Sequence, residues 1–342
     1  MSSTTPQSYT VYQWEAPNTR LVKAEQPWQN PEQGEVVVKI LASGVCATDD
    51  LIRVGSFPAR FPVVPGHEIV GDIVAVHPSV TDFRVGDRVG APFQRGFCGD
   101  CHHCQSGQLM GCDKLMNFLT GASYDGGYAQ FLRVPTTGVC RISKEIDPAE
   151  AAPLMCAGVT VFNGLEQLKI KPNSTVAIQG IGGLGHLALQ YAKAMGARTV
   201  AISTSDKKKE LSLQLGADIY IDESSQNAVE ELQKLGGADV IVSTAPNAAG
   251  MLKLIDGLAF EGKLLVVSAP HDQVPFNPGV LLGKRLSIHG TFVGTAEDCA
   301  RTVEYTVKHN IKVLVEKFPF SKAEEVFRHR ENARFRSVIV PE

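Results

Sequence analysis

The sequence carries little net charge and has no long hydrophobic run. Its 342 residues have a formal net charge of −3 at pH 7, so it lacks the basic excess that binds nucleic acid or an anionic membrane surface. No segment approaches the roughly 18 consecutive apolar residues of a membrane-spanning helix. The first residues, MSSTTPQSYTVYQWE, lack the basic-then-apolar pattern of a secretory signal. We therefore expect a cytoplasmic protein with neither nucleic acid nor membrane as a partner.

Low-complexity linkers and internal repeats are also missing, and the length suits two ordinary domains. The hydrophobic content of 44% is sufficient for each domain to have its own core. The chain contains 8 cysteines, and in a reducing compartment such residues rarely form structural disulfides. Metal binding is therefore the first role to consider for them.

Two patterns divide the chain. Residues 1–155 contain short β-rich runs separated by Gly, Pro and Asp turns, which predicts a β domain. Over residues 156–295 strands alternate with helices, which predicts an α/β fold with a parallel, doubly wound sheet and ligands at the carboxyl ends of its strands. Residues 296–342 contain a predicted helix around Cys299–His309 and a strand-like end at Ser337–Val340.

A glycine-rich turn lies near the start of the second pattern. The segment GIGGLG follows the predicted strand Thr175–Ile178 and opens the predicted helix Leu184–Met195. In this setting glycines allow a tight turn and close backbone approach, and the helix N-terminus directs amide donors at a pyrophosphate. A plain turn between strand and helix is the alternative. The expected dinucleotide contacts here and at the end of a later strand are Gly180, Ile181, Gly182, Gly183, Leu184, Gly185, Val267 and Ser268.

The end of the next predicted strand indicates which dinucleotide binds. NAD sites usually place a carboxylate about 20 residues after the glycines, where it holds the ribose 2′-hydroxyl. Here Ser203 takes that position, followed by Thr204, Ser205 and three lysines that include Lys208. Hydroxyl and ammonium groups accept a 2′-phosphate that a carboxylate would repel. The pattern favours NADP(H); the alternative is NAD bound with the help of Asp206.

The densest cysteine cluster is the stretch CGDCHHCQSGQLMGC. Its C-x2-C-x2-C-x7-C spacing is typical of a tetrahedral zinc cage. Four thiolates leave no open position on the metal, so such a site holds a loop in place and performs no chemistry. His102 and His103 are alternative ligands by residue type, but four sulfurs suffice, so we expect both histidines to be surface residues. An iron–sulfur cluster uses the same ligand type. The predicted structural zinc ligands are Cys98, Cys101, Cys104 and Cys112.

A second set of metal-binding side chains is scattered along the chain. GVCATD contains Cys46, GHEIVG contains His67 and Glu68, and MCAGVT contains Cys156. Each cysteine alone is more often a packing residue than a ligand. Together, two thiolates and one imidazole balance the charge of Zn²⁺ and leave a fourth position open to a substrate. An alcohol bound there loses its proton near neutral pH, and the alkoxide can pass hydride to a nicotinamide.

Through these motifs the chain resembles the zinc-dependent medium-chain alcohol dehydrogenases over essentially its whole length. The resemblance implies a GroES-like, β-rich catalytic domain at residues 1–155, completed by 296–342. It implies a Rossmann coenzyme domain at residues 156–295. It also implies two zinc ions per chain, one catalytic on the scattered set and one structural on the four-cysteine lobe.

The same resemblance assigns roles to individual residues. Thr48 is the hydroxyl that takes the alcohol proton, and Asp49 is a hydrogen-bonding partner of the zinc-binding histidine. Glu68 is a carboxylate that approaches the metal transiently. Thr160 is expected to contact the nicotinamide, and Arg336, in the motif FRSVIV, is a basic residue near the cofactor.

Two positions depart from the family pattern. Leu51 replaces a histidine that completes a proton relay in many members, so protons would leave through the ribose and water or by another path. Ala47 replaces a basic or histidine contact to the pyrophosphate.

The segment STSDKKKE resembles the cinnamyl-alcohol and aldehyde-reductase branch, whereas DGGYAQF resembles the yeast and bacterial ethanol-type enzymes. Together with Leu51, Phe57 and Phe93 predict an apolar substrate pocket.

The sequence thus predicts an enzyme that interconverts a primary alcohol and an aldehyde, acting as an aldehyde reductase with NADPH. We expect a homo-oligomer, either a dimer or a tetramer. An NAD-dependent alcohol dehydrogenase is one alternative. A zinc-independent quinone or enoyl reductase is another, although it has no use for Cys46, His67 and Cys156. A non-catalytic zinc-ribbon module is disfavoured by the acidic charge balance.

Overall fold

The computed structural model describes residues 6–268, 270, 272–330 and 333–342. Residue contacts divide the chain into two compact units, which we call unit 1 and unit 2. Unit 1 comprises residues 1–159, 293–307 and 313–342, and unit 2 comprises residues 160–292 and 308–312. None of the helices in the described part of the chain is both long and apolar enough to cross a bilayer.

The first part of the chain is rich in strands. Its valine- and isoleucine-rich runs suit strands with at least one buried face. The elements are β1 (Ser8–Gln13), β2 (Val22–Pro27), β3 (Glu35–Gly44), α1 (Ala47–Arg53), β4 (Glu68–Val76), β5 (Arg88–Ala91), α2 (His102–Gln105), β6 (Phe131–Pro135), β7 (Cys140–Arg141) and α3 (Pro148–Ala151).

The middle of the chain alternates helices and strands. These are α4 (Ala157–Gln167), β8 (Thr175–Gln179), α5 (Gly185–Ala194), β9 (Arg198–Ser203), α6 (Lys209–Gln214), β10 (Ile219–Asp222), α7 (Ala228–Lys234), β11 (Ala238–Ser243), α8 (Ala248–Lys253), β12 (Leu258–Val266), α9 (Val280–Lys284) and β13 (Ser287–Gly290). The last part contains α10 (Ala296–Lys308), β14 (Val315–Pro319), α11 (Ala323–His329) and β15 (Arg336–Val340).

Unit 1 is built on a largely antiparallel sheet. Its strand order is β14-β15-β3-β4-β5-β7, and β6 also pairs with β3. The β14–β15 pair is parallel, whereas β15 pairs with β3 in the antiparallel sense through Val338 and Gly44. The C-terminal strand therefore lies beside the end of β3, where the GVCATD motif begins. Met155 packs against Gly90 of β5, and Cys156, which we expected in the coenzyme domain, consequently lies in unit 1.

Unit 2 is a doubly wound α/β sheet, as predicted. Its strand order is β10-β9-β8-β11-β12-β13, and every pairing is parallel. All five residues of β8 are buried, as expected for a central strand covered on both faces. The strand order reverses between β8 and β11, and in such sheets ligands bind beyond the carboxyl ends of the strands at this point.

Two predicted helices can be compared with the structure. The helix predicted over Leu184–Met195 is α5, and it ends before Gly196, whose φ of +87° suits glycine. The helix predicted around Cys299–His309 is α10, which begins earlier, at Ala296. Its start is fixed by a reciprocal cap: the Thr295 hydroxyl accepts a hydrogen bond from the Asp298 backbone amide at 3.1 Å, and the Asp298 carboxylate accepts one from the Thr295 backbone amide at 2.9 Å.

Candidate active site and coenzyme site

The scattered metal-binding residues converge in unit 1. Cys46 follows β3, His67 and Glu68 stand at the start of β4, and Cys156 follows the turn that packs against β5. All four are buried, and their ligand atoms lie within 4.8 Å of one another. Segments far apart in the sequence are brought together because β3, β4 and β5 are neighbours in one sheet. We call these four residues the catalytic cluster.

The orientation of His67 fits a metal ligand. Its Nδ1 lies 3.0 Å from Oδ1 of Asp49, and both side chains are fully buried. Its Nε2 is buried without a hydrogen-bond partner among the described residues. Such an unpaired buried nitrogen costs roughly 1–3 kcal/mol, a cost that coordination to a metal removes. With two thiols beside the imidazole, the donor set fits Zn²⁺.

Asp49 is held by two further contacts. Its Oδ2 accepts a hydrogen bond from the Cys46 backbone amide at 3.0 Å and another from the Tyr128 hydroxyl at 3.1 Å. The carboxylate therefore links the Cys46 segment to the His67 imidazole. A carboxylate in this position fixes the tautomer and the ring orientation of a metal-binding histidine.

The electrostatics of the catalytic cluster are those of a functional site. The Cys156 thiol, aided by Arg336 and His67, holds the pKa of Cys46 well below its usual range although burial opposes this. Burial raises the pKa of Glu68 to about 8, against the attraction of Arg336. Nη2 of Arg336 lies 3.3 Å from Oε1 of Glu68. Perturbed groups of this kind concentrate at functional sites.

Two residues that support the cluster were not among our predictions. Gly66 has a φ of +94°, and a Cβ atom there would lie 2.5 Å from Cδ1 of Tyr128. The glycine therefore lets the tyrosine ring pass close to the chain just before His67, from where the hydroxyl reaches Asp49. The motifs GHEIVG and DGGYAQF contain these two residues, but neither motif indicates that they touch.

The predicted pocket residues lie near the cluster. The Phe93 ring centroid is 4.7 Å from that of His67 and 6.0 Å from that of Phe57. The Leu51 carbonyl oxygen accepts a hydrogen bond from the Phe57 backbone amide at 3.3 Å. Thr48 lies in the first turn of α1, directly before Asp49. An aromatic wall thus lies beside His67, and Thr48 lies between Cys46 and Asp49 in the chain.

The four-cysteine lobe forms a second candidate metal centre. Sγ of Cys98 lies 3.8 Å from Sγ of Cys104 and 3.5 Å from Sγ of Cys112. Zinc–sulfur bonds of about 2.3 Å in a tetrahedron place sulfurs about 3.8 Å apart. The four sulfurs all lie within 4.8 Å of one another. Their chemistry and spacing fit a closed structural zinc site.

His103, one of the alternative ligands, lies close to Cys101 of this lobe. His103, Cys101 and Asp113 form a further group whose ligand atoms lie within 4.8 Å of one another. The His103 Nδ1 atom lies 3.3 Å from Oδ1 of Asp113. His102 is exposed. The Asp113 and Cys104 backbone amides lower the pKa of Cys101 to about 6, which favours the thiolate that a metal requires.

In unit 2 the glycines of the GIGGLG segment have distinct surroundings. Gly180 follows β8 with a φ of +85°, and a Cβ atom on Gly185 would lie 1.9 Å from the Gly180 carbonyl oxygen. A Cβ atom on Gly182 would meet no atom within 4 Å. One glycine thus makes the turn, one permits close helix packing, and one leaves an open face. This division of roles fits a dinucleotide pyrophosphate.

Most of the other predicted cofactor residues of unit 2 follow strands of the sheet. Nζ of Lys208 donates a hydrogen bond to the Ile181 carbonyl at 2.6 Å. Ser203 ends β9, and the hydroxyl of Ser268 donates to the Ala245 carbonyl at 3.0 Å. The remaining predicted contacts of this unit are Thr204 and Ser205 after β9, Val267 after β12, and Thr160 in α4. Arg336 lies in unit 1 beside Glu68, and its contact to a cofactor stays a prediction.

Comparisons with known proteins identify the family of the chain. Residues 32–144 match the alcohol dehydrogenase GroES-like domain, and residues 183–308 match the zinc-binding dehydrogenase domain. Alcohol dehydrogenase patD of Penicillium expansum is 40% identical over 341 residues, which cover 99% of each chain. The chain belongs to the zinc-dependent medium-chain alcohol dehydrogenase family. It is therefore an oxidoreductase, and the non-catalytic zinc-ribbon module is ruled out.

Other members of the family show the range of this similarity. The aldehyde reductase AdhA of Synechocystis is 34% identical over 308 residues, which cover 89% of this chain and 90% of that protein. The cinnamyl alcohol dehydrogenase structure from Sorghum bicolor has a TM-score of 0.89 at 28% identity and covers 97% of both chains. The predicted combination of a GroES-like domain and a Rossmann domain is confirmed.

Proposed function

We propose that this protein is a zinc-dependent, NADP(H)-dependent enzyme that interconverts primary alcohols and aldehydes and acts as an aldehyde reductase. The observation that carries the proposal is the buried cluster of Cys46, His67 and Cys156, in which Asp49 orients the imidazole. These three side chains would hold the catalytic zinc. The four cysteines of the lobe would hold a structural zinc, which gives two ions per chain.

When bound, zinc supplies a Lewis acid for the substrate oxygen and the nicotinamide supplies or accepts hydride. Reduction of the carbonyl group would also require a proton at the substrate oxygen. We assign delivery of that proton to the hydroxyl of Thr48. The aromatic side chains of Phe57 and Phe93 exclude water beside His67 and favour apolar aldehydes.

The preference for NADP(H) is based on the end of β9. Ser203, Thr204 and Ser205 place hydroxyls where NAD sites usually have a carboxylate. Lys208 reaches the glycine-rich turn and supplies a positive charge for a 2′-phosphate. Similar solved structures include both cofactors: CAD from Helicobacter pylori is complexed with NADP(H) at 25% identity, and acetophenone reductase from Geotrichum candidum is complexed with NAD at 27% identity. The residues after β9 therefore carry the choice.

The test combines metal analysis with kinetics on the purified full-length protein. We expect two zinc ions per chain and reduction of aliphatic and aromatic aldehydes with a higher kcat/KM for NADPH than for NADH. Cys46→Ser and His67→Ala should each abolish turnover and remove one zinc ion, while circular dichroism stays unchanged. Near-native activity in either variant would contradict the catalytic site. Activity restricted to quinones, or one zinc ion per chain, would favour the zinc-independent alternative.

A further inference from the structure

A cavity in unit 1, separate from the catalytic cluster, has the character of a binding site. Its volume is about 330 Å³, within the range of roughly 300–1,000 Å³ that is typical of small-molecule sites. The DGGYAQF motif supplies part of its wall, although the proposed reaction uses only Tyr128 of that motif. The lining of the cavity includes the side chains of Tyr9, Gln26, Arg95, Asp125 and Phe131.

Arg95 brings a buried positive charge to this cavity. The residue is only 6% exposed, and its guanidinium carbon lies 4.6 Å from the centroid of the Tyr124 ring. Its nearest carboxylate oxygen, Oε1 of Glu35, is 3.7 Å from Nη2, and the other Glu35 oxygen is already paired with Arg133 at 3.2 Å. The Arg95 side chain donates no hydrogen bond to the rest of the described chain. A buried guanidinium in this state has unused capacity for an anion.

Asp125 brings the opposite charge to the same wall. Its Oδ1 accepts from the Val64 backbone amide at 3.0 Å, and its Oδ2 accepts from the Gln26 side-chain amide at 3.1 Å. Both donors are neutral. The carboxylate attracts the Arg95 guanidinium, but no cationic side chain of the described residues lies within ion-pair distance of it. The residue is exposed. Its carboxylate is thus positioned by hydrogen bonds but keeps its negative charge available.

The same cavity has an aromatic wall. The Tyr9 and Phe131 rings pack edge to face at 5.6 Å, and the Tyr9 hydroxyl donates to Oε1 of Gln26 at 3.0 Å. Gln26 therefore connects the aromatic wall to Asp125 through its two side-chain atoms. A fixed aromatic surface in one cavity with two opposite charges is suited to a ligand that has a ring and two charged groups.

We propose that this cavity binds a free aromatic α-amino acid. The α-carboxylate pairs with the Arg95 guanidinium, the α-ammonium pairs with the Asp125 carboxylate, and the ring packs against Tyr9 and Phe131. A ligand with only a carboxylate pairs with Arg95 but is repelled by Asp125. A ligand with only an amine pairs with Asp125 but is repelled by Arg95. Only the zwitterion complements both charges. This binding is independent of the proposed oxidoreductase activity.

Calorimetric titration of the zinc-loaded full-length protein tests the proposal with three probes. L-phenylalanine has both charges, 3-phenylpropionate lacks the ammonium group, and 2-phenylethylamine lacks the carboxylate. We expect L-phenylalanine to bind at least about tenfold more tightly than either analogue, the factor given by one charge-assisted hydrogen bond. Absence of L-phenylalanine binding, or equal affinities for the three probes, would overturn the proposal.

Variants locate the binding and separate it from the catalytic cluster. Arg95→Gln should lower the affinity for L-phenylalanine about tenfold. Arg84→Gln, which removes an arginine whose side chain is 87% exposed, should leave this affinity unchanged. Asp125→Asn is isosteric at an exposed position, so it remains informative if Arg95→Gln does not fold. Asp125→Asn should lower the affinity for L-phenylalanine to the affinity that the parent protein has for 3-phenylpropionate. Cys46→Ser should leave the titration unchanged; binding lost in that variant, or unaffected by Asp125→Asn, would refute the assignment.

Discussion

Nδ1 of His67 lies 3.0 Å from Oδ1 of Asp49 at a position where neither side chain is exposed to solvent. The contact directs the other imidazole nitrogen toward the thiols of the catalytic cluster. It depends on the Asp49 carboxylate, which also accepts hydrogen bonds from the Tyr128 hydroxyl and the Cys46 backbone amide. One acidic side chain therefore positions two of the three proposed zinc ligands.

Replacing this carboxylate should weaken zinc binding more than it disturbs the fold. In Asp49→Asn we expect the affinity of the catalytic zinc to fall by about 10- to 100-fold, as for other partners of metal-binding histidines. Zinc retained after dialysis against graded chelator concentrations measures the loss. Asp82→Asn, at an exposed position of the same unit, is the matched control. Equal zinc retention in the two variants would show that Asp49 does not position His67.

A second prediction concerns Gly66, which combines a φ of +94° with close contact to Tyr128. Gly66→Ala should destabilise the protein by about 1–3 kcal/mol through backbone strain and by a further amount because the tyrosine ring must move. Denaturant unfolding measures the total. Gly55→Ala is the control, since Gly55 has a φ of +76° but a Cβ atom there would meet nothing within 4 Å. The Gly66 variant should be the less stable of the two and should also lose activity, and the reverse order would refute the steric argument.

Removing one ligand from the four-cysteine lobe should affect stability and not chemistry. In Cys101→Ser we expect the loss of one zinc ion per chain and a lower Tm, because structural zinc contributes directly to folding. The kcat of the protein that remains folded should stay close to that of the parent. His102→Ala changes an exposed neighbour and should alter neither quantity. A large fall in kcat at unchanged Tm would instead place this metal in the reaction.

Cofactor preference should depend on the residues that follow β9. Ser203→Asp introduces the carboxylate that binds a ribose 2′-hydroxyl and repels a 2′-phosphate. We expect the ratio of kcat/KM for NADPH to that for NADH to fall by about tenfold or more, equivalent to about 1.4 kcal/mol. Lys208→Ala should lower the ratio as well, whereas Lys207→Ala, at an exposed position, should not. A ratio that Ser203→Asp leaves unchanged would contradict the NADP(H) assignment.

Local sequence motifs were enough to predict the features that short contiguous segments form. The strand, glycine turn and helix around Gly180 are contiguous, and the structure has them as β8, the turn and α5. The four-cysteine lobe is equally local, because its ligands fall within one short loop whose spacing suits a tetrahedral metal. Alternation of strands and helices was likewise enough to predict the parallel sheet of unit 2.

Tertiary structure decided the relationships between distant segments. The pairing of β15 with β3 brings Arg336 beside Glu68, although the resemblance suggested only a contact to the cofactor. The Tyr128–Asp49 hydrogen bond and the cavity between Arg95 and Asp125 follow no sequence spacing. Their formation depends on strand register and on which polar groups become buried together, and these are properties of the folded sheet. The sequence supplies the chemical groups, and the packing determines which of them meet.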